Sequence, residues 1–507
     1  MLKISVREIA DIVGGRIVGD MDATALIDGD VTIDSRAVRP GDVFAAYVGE
    51  RVDGHNYAAA AVDSGAALCL LTRDVGVPGI VIEDMTHALS ALARATLDRA
   101  RQVNPRLKVA AVTGSAGKTG VKDLLGQILS SQGPTIAPPG SLNNEIGLPL
   151  TVLKLRENTA YLVLEMGARG IGHIAHLTSI ARPDVAVVLN VGTAHLGEFG
   201  SADGTAQAKG ELVEALAESG RAVLNADDPR VAGMATRAQA PVTTWGLGPA
   251  NIRAEDVRLS RDACPCFRLV IEPGLRALGG EPIAAAEYRV SLQLVGEHQV
   301  YTALAAMTTA LVLGVDADAV CTAVEQARAV SPHRMAVHHG ADGVTIIDDA
   351  YNANPDSMRS ALRTLAHLGR GQTNGSSAGT PRTIAVLGEM RELGPDSVRL
   401  HDEIGRLAVR YDINLLLTIG DGTRPMHQGA LLEGSFGGEA QHVDTIAEAE
   451  AVLQTSVVPG DIVLVKSSLS AGLCHLADRL VAIHEPAAGG DGTTTRTSRL
   501  NVGKAQA

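Results

Sequence analysis

The stretch Val112–Gly120, "VTGSAGKTG", follows the apolar run "LKVAA" and sets a glycine-bearing turn between a segment that reads as a buried strand and one that reads as a helix. A strand, a Gly-rich turn and a helix opening with GK[ST] form a phosphate cradle. The glycines let backbone N–H groups converge on phosphate oxygens, and the helix opening at Thr119 adds its positive end. A full Walker A motif has glycine six positions before the lysine; here that position is Val112, and the first glycine is Gly114. The turn is therefore the shorter Thr113, Gly114, Ser115, Ala116, Gly117, Lys118, Thr119. In it Lys118 reaches the β- and γ-phosphates and the Thr119 hydroxyl ligates Mg²⁺. The turn predicts bound phosphate but does not name a reaction.

Outward from this turn, "KVAAVTG", "AYLVLEMG", "DVAVVLNVG" and "RAVLNADD" are continuously apolar rather than alternating, with helical intervals between them. That pattern predicts parallel strands covered on both faces, in a doubly wound sheet. A third region repeats the rhythm with "VTIIDDAYNANP", "TIAVLGEM", "NLLLTIGD" and "GDIVLVKSS". A mixed segment precedes the turn and ends in "THALSALARATLDRARQV". The expected architecture is α/β throughout: an N-terminal domain over residues 1–103, a central P-loop ATPase-like domain over 104–330 and a Rossmann-like C-terminal domain over 331–485. Residues 486–507 lack periodicity and read as a disordered tail. The stretch Gly248–Tyr288 is polar and less regular, and "GRGQTNGSSAGTPR" reads as a surface loop.

The chain has 507 residues, a formal net charge of −13 and 2% aromatics. A nucleic-acid binder needs a basic face and stacking rings, so that class is disfavoured. No run of about 18 apolar residues suggests a membrane span, and the N-terminus lacks a signal-peptide core. Five scattered cysteines fit reduced thiols in a cytoplasmic protein better than a disulfide framework or a zinc site.

"TGSAGKT", "SLNNEIGLPLT", "LEMGA", "NVGTAHLGEFGS", "AQAKGEL", "HRM" and "DDAYNANPDSM" occur in the order seen in the Mur ligase family, which this chain resembles from about residue 30 to about residue 470. Those enzymes build the peptide of bacterial cell-wall precursors. The resemblance implies that ATP phosphorylates a carboxylate to an acyl phosphate, which an amine then attacks. Within the family, "YNANPDSM" and "EMRELG" resemble the member whose substrates are UDP-N-acetylmuramoyl-tripeptide and D-alanyl-D-alanine, and no "DNPR"-type acid-recognising motif is found. The N-terminal "DSRAVRPGDVFAAYVGERVDGHNYAAAAVDSGA" resembles a UDP-sugar-binding domain. A monomer working without nucleic acid or membrane insertion is expected.

Site residues follow from the resemblance together with their chemistry. Glu165 ends a strand at the carboxyl edge where open sheets bind ligands, and is expected to face phosphates through Mg²⁺. His195 is implied to hold a second Mg²⁺. Lys209, on a helix that Ser201 or Asp203 caps, is implied to be carbamylated by CO₂, turning a cation into an anionic metal ligand. Asn143 and Asn144 are implied to lie beside the phosphates. Arg334, at the second domain boundary, reaches the γ-phosphate when the domains close. Asp348, Tyr351 and Asn352 resemble the ribose- and adenine-contacting segment, with Tyr351 offering a base-facing ring. His298 is a weaker adenine candidate, because Gln299 and Thr302 stand where the family often has asparagine. Asp34, Ser35, Arg36 and His55 resemble the loop near the uridine diphosphate, and Arg36 suits a diphosphate by its bidentate fork. Lys466 departs from the family's usual pattern in being followed by Ser467 rather than glycine. A ligase with another acceptor, a nucleotide-binding scaffold without catalysis and a P-loop kinase remain as alternatives.

Overall fold

The computed structural model describes residues 1–192, 201–371, 381–435 and 438–484. Three sheet-centred α/β bodies follow one another along it. The first sheet runs Arg16–Val18, Gly79–Val81, Leu68–Leu71, Val43–Ala45, Val31–Thr32, with only its first pairing antiparallel.

The central sheet has nine strands. From one edge, Thr135–Ile136, Tyr161–Glu165, Lys108–Thr113, Val185–Val188, Arg221–Asn225 and Val242–Gly246 are all parallel. The continuous apolarity of Lys108–Thr113 has a direct cause. Val109 and Ala111 enter the core on one face, while Ala110 and Val112 enter the core on the other.

The sheet then continues through Ile252–Leu259, Pro265–Ile271 and Ala286–Ser291, the last two pairings antiparallel. This stretch reads as irregular in sequence because only one of its faces is covered. Ile252 and Ala254 are buried, whereas Arg253 and Glu255 between and beyond them pair as ions at 2.6 Å.

The third sheet runs Ala336–His339, Thr345–Asp349, Ile462–Lys466, Thr383–Leu387, Leu415–Ile419, Ala440–Val443, again with only the first pairing antiparallel. Helix Met85–Val103 ties the first body to the second, because its Leu89, Leu92 and Leu97 share one hydrophobic core with Val109, Leu148 and Leu162. An ion pair between Asp30 and Arg156 at 2.6 Å spans the same seam. No helix among the described residues is long and apolar enough to cross a membrane. The tail over 486–507 and most of the loop around "GRGQTNGSSAGTPR" lie outside the described residues.

Candidate active site

The phosphate turn lies at the carboxyl end of Lys108–Thr113, and its helix is Lys118–Ser130, one residue earlier than the sequence suggests. Gly117 caps that helix at φ +84°, a left-handed conformation open to glycine. At Gly114 a Cβ would lie 2.8 Å from that of Leu189, so only glycine fits the close approach. The amides divide into two groups. Ser115 N–H donates to Asn190 O at 3.1 Å and Ala116 N–H to Asn190 Oδ1 at 2.9 Å. These two amides hold the turn's shape instead of facing a ligand, which leaves anion binding to the turn's glycine amides and the first-turn N–H groups of the helix. Asn190, missed in the sequence, is thus the frame of the turn; its position after the strand Val185–Val188 is its only signal. Lys118 Nζ folds back onto Gly114 O at 2.8 Å. Burial pushes its ammonium pKa down, Arg334 adds to that, and Glu165 opposes it.

Glu165 closes the strand Tyr161–Glu165, registered opposite Val112. It is 2% exposed. Its Oε2 accepts from Thr119 Oγ1 at 2.9 Å, and its Oε1 accepts from Ser141 Oγ at 2.7 Å and Asn143 Nδ2 at 2.8 Å. Ser141 opens the motif "SLNNEIGLPLT" but carries no role in the sequence reading, where the asparagines that follow it take the attention. The two asparagines part company. Asn143 joins this cluster, while Asn144 Oδ1 accepts from Ile146 N at 3.2 Å and Gly147 N at 2.8 Å, stabilising the turn into the helix Gly147–Val152. Asn144 is therefore a turn residue here, because an Asx side chain satisfies backbone donors two or three residues on.

Lys209 sits on the helix Ala202–Glu214, which Ser201 rather than Asp203 caps, accepting from Gly204 N at 3.0 Å. Lys209 is buried, and burial, with Lys118 as a second cation nearby, lowers its pKa to about 7. Two residues on, Glu211 accepts from Gly172 N at 2.6 Å and Ala175 N at 2.9 Å, anchoring this helix to the N-terminus of the preceding helix His173–Ile180. His195 lies outside the described residues.

Arg334 reaches across from the third body, with Nη2 3.3 Å from Thr119 Oγ1. Its guanidinium lies 4.1 Å from the centre of the Tyr351 ring. One face of the Tyr351 ring is therefore taken by Arg334, a cation–π contact that aims the arginine. The backbone on either side is strained, with His333 at φ +57° and Met335 at φ +50°. Asp348 is buried and takes His333 Nδ1 at 2.7 Å, which raises the His333 pKa. Asn352 accepts from Lys466 Nζ at its backbone carbonyl, 2.8 Å away, while Lys466 also pairs with Asp349 at 2.5 Å. Ser467 is buried and packs where a Cβ on Gly388 would lie 2.7 Å from its own, so the close approach at this point depends on Gly388. His298 Nδ1 meets Ser360 Oγ at 2.9 Å, linking the second and third bodies, and burial lowers its pKa.

In the first body Asp34 caps the turn Ser35–Ala37 and grips Arg36 with both carboxylate oxygens at 2.8 Å. His55 contradicts its sequence reading. Its side chain is fully buried, with Nδ1 on Asp53 Oδ1 at 2.7 Å and Nε2 accepting from Thr72 N at 2.9 Å. Both ring nitrogens are thus committed inside the body, which makes His55 a packing residue rather than a sugar contact.

A phosphate turn on a doubly wound sheet, an oxygen-rich cluster at the neighbouring strand end and an arginine delivered from another body define a P-loop nucleotide-using enzyme of three α/β domains. Comparison with known proteins narrows that class. Family models described as Mur ligase family catalytic domain, Mur ligase middle domain and Mur ligase glutamate ligase domain match residues 30–97, 112–310 and 333–469. The chain belongs to the Mur ligase family. It is 44% identical to a UDP-N-acetylmuramoyl-tripeptide–D-alanyl-D-alanine ligase of Mycobacterium tuberculosis, over 95% of this chain and 98% of that one. Its fold is similar to a crystal structure of MurF from Acinetobacter baumannii, with TM-score 0.78 and 31% identity, covering 95% of this chain and 99% of that chain. It is also similar to MurF ligase from Thermotoga maritima in complex with ADP, with TM-score 0.71 and 27% identity over 90% and 97% of the two chains.

Proposed function

We propose that this enzyme joins D-alanyl-D-alanine to UDP-N-acetylmuramoyl-tripeptide through a new amide bond in peptidoglycan precursor synthesis, using ATP and releasing ADP and phosphate. The observation that carries this reading is the convergence of Thr119, Glu165, Ser141 and Asn143 with Arg334 at the phosphate turn. In this reading residues 1–103 take the UDP-sugar, 104–330 take ATP, and 331–485 present the dipeptide.

The donor set fits Mg²⁺. Thr119 and Glu165 offer hard oxygens 2.9 Å apart, and a cation that keeps several waters and phosphate oxygens needs few protein ligands. When bound, Mg²⁺ offsets the charge on the phosphates that an attacking carboxylate must approach. Lys118 unfolds from Gly114 O to the transferring phosphoryl group. Arg334, held on Tyr351, neutralises charge there from the opposite side. The tripeptide carboxylate attacks the γ-phosphorus and ADP leaves. The dipeptide amine then attacks the acyl carbon, and phosphate departs with the oxygen that came from the carboxylate.

His195 and Lys209 are assigned to the second cation site. CO₂ reacts with a neutral amine, forming an N–C bond and losing a proton. A pKa of about 7 leaves Lys209 a substantial neutral fraction at neutral pH, and carbamylation replaces a positive charge beside Lys118 with a negative one.

Phosphate release with ATP, Mg²⁺ and UDP-N-acetylmuramoyl-tripeptide tests the reading. Release is expected to depend on D-alanyl-D-alanine, with a product heavier by the dipeptide less water. Product formed instead with meso-diaminopimelate as acceptor would show that the acceptor is wrongly assigned.

A further inference from the structure

A second lysine, one helical turn beyond Lys118, has no part in the chemistry above. Lys122 is 2% exposed. Its ammonium donates to Pro138 O and to Gly140 O at 3.0 Å, and it forms an ion pair with the neighbouring Asp123 Oδ1 at 2.7 Å. A buried ammonium is a costly way to hold a loop unless its position matters.

The loop it holds leads directly to Ser141 and Asn143, the two donors on Glu165 Oε1. Asn143 Nδ2 also donates to Ser141 Oγ at 2.9 Å, so the two side chains move as a unit. From the other side, Gly140 N–H donates to Ser331 Oγ at 2.9 Å. Ser331 is 3% exposed and lies three residues before Arg334. Lys122 thus fastens the loop to the phosphate-turn helix, and Ser331 fastens it to the segment that delivers the arginine.

We propose that Lys122 and Ser331 are positioning residues forming a clamp on residues 138–140. The clamp preforms the oxygen cluster around Glu165 and ties it to the placement of Arg334. Neither residue touches substrate. The inference rests on the cation-and-nucleotide reading of the Glu165 cluster, but its first readout does not.

Hydrogen exchange on the full chain without ligands reads the clamp itself. Lys122→Met removes the charge while keeping an unbranched side chain only one heavy atom shorter, and Ser331→Ala removes a single acceptor. Each is expected to speed exchange at the Gly140 amide by about tenfold or more, the scale of losing one hydrogen bond to a buried group. Lys122→Arg, which keeps a cation, is expected to restore much of the protection. Calorimetric binding of a Mg²⁺-bound ATP analogue should weaken about tenfold in Lys122→Met, while UDP-N-acetylmuramoyl-tripeptide affinity stays as in the parent. Unchanged Gly140 exchange in a folded Ser331→Ala protein would overturn the clamp. Faster exchange with unchanged analogue binding in both variants would overturn its role in the site. Absence of ligase activity in the parent would instead count against the proposed reaction and leave the exchange result standing.

Discussion

Replacing Lys209 with alanine is expected to lower ligase turnover by about a thousandfold, the scale seen when one preorganised charge is removed from a transition-state site. The protein should still fold and bind UDP-N-acetylmuramoyl-tripeptide. Formate or acetate should restore part of the activity by placing a free carboxylate where the carbamate would stand. Wild-type turnover in the variant, or loss that short carboxylates and bicarbonate do not alter, would contradict the assignment.

The same lysine predicts a pH signature in CO₂-free buffer. Its folded pKa of about 7 lies below its ordinary value of 10.5. Between those values the unfolded chain binds more protons at this site than the folded chain, so its contribution to stability rises with pH across the window. Below about 7 the buried site must carry the charge, and the penalty is fully present. Denaturant unfolding at pH 7 and pH 9 should therefore show wild type gaining on Lys209→Met as pH rises; parallel behaviour would place the lysine in a solvated site.

Lys118→Ala carries the second large effect. The ammonium is the charged side chain of the phosphate turn and already sits over it, on Gly114 O. Without it, phosphoryl transfer loses a cation that strengthens its grip as charge develops, and turnover should fall by about a thousandfold or more. UDP-sugar binding, which the proposed reading assigns to another body, should persist in calorimetry. Loss of both would mean that the substitution has disturbed the fold. Lys118→Arg is not expected to rescue, because a planar guanidinium fork does not reproduce the compact point charge of the ammonium that sits on Gly114 O.

Much of this site is legible in the sequence because its parts are local. The turn, its Lys118 and Thr119, and Glu165 at a strand end each carry a short-range signature, and both core faces of the sheet show as unbroken apolar runs. Lys209 was legible through the resemblance rather than through its own surroundings. What escaped acts through distance in the chain. Asn190 shapes the turn from another strand, and Ser141 reaches Glu165 across 24 positions. Lys122 resembles any helix lysine until the carbonyls of Pro138 and Gly140 close on it. Two expected ligand contacts are placed differently by the structure, for different reasons. His55 is closed off by Thr72, a tertiary contact across 17 positions, whereas Asn144 Oδ1 is taken by the N–H of Gly147 three residues on, an Asx turn its local sequence already allows.

The central claim is that the tripeptide carboxylate becomes an acyl phosphate within the cluster around Glu165. Isotope transfer tests it most directly. UDP-N-acetylmuramoyl-tripeptide labelled with ¹⁸O in its reacting carboxylate is incubated with ATP, Mg²⁺ and D-alanyl-D-alanine, and the released phosphate is analysed by mass. The account predicts one ¹⁸O atom in the phosphate for each amide formed. Unlabelled phosphate accompanying amide formation would show that the carboxylate is activated by another route.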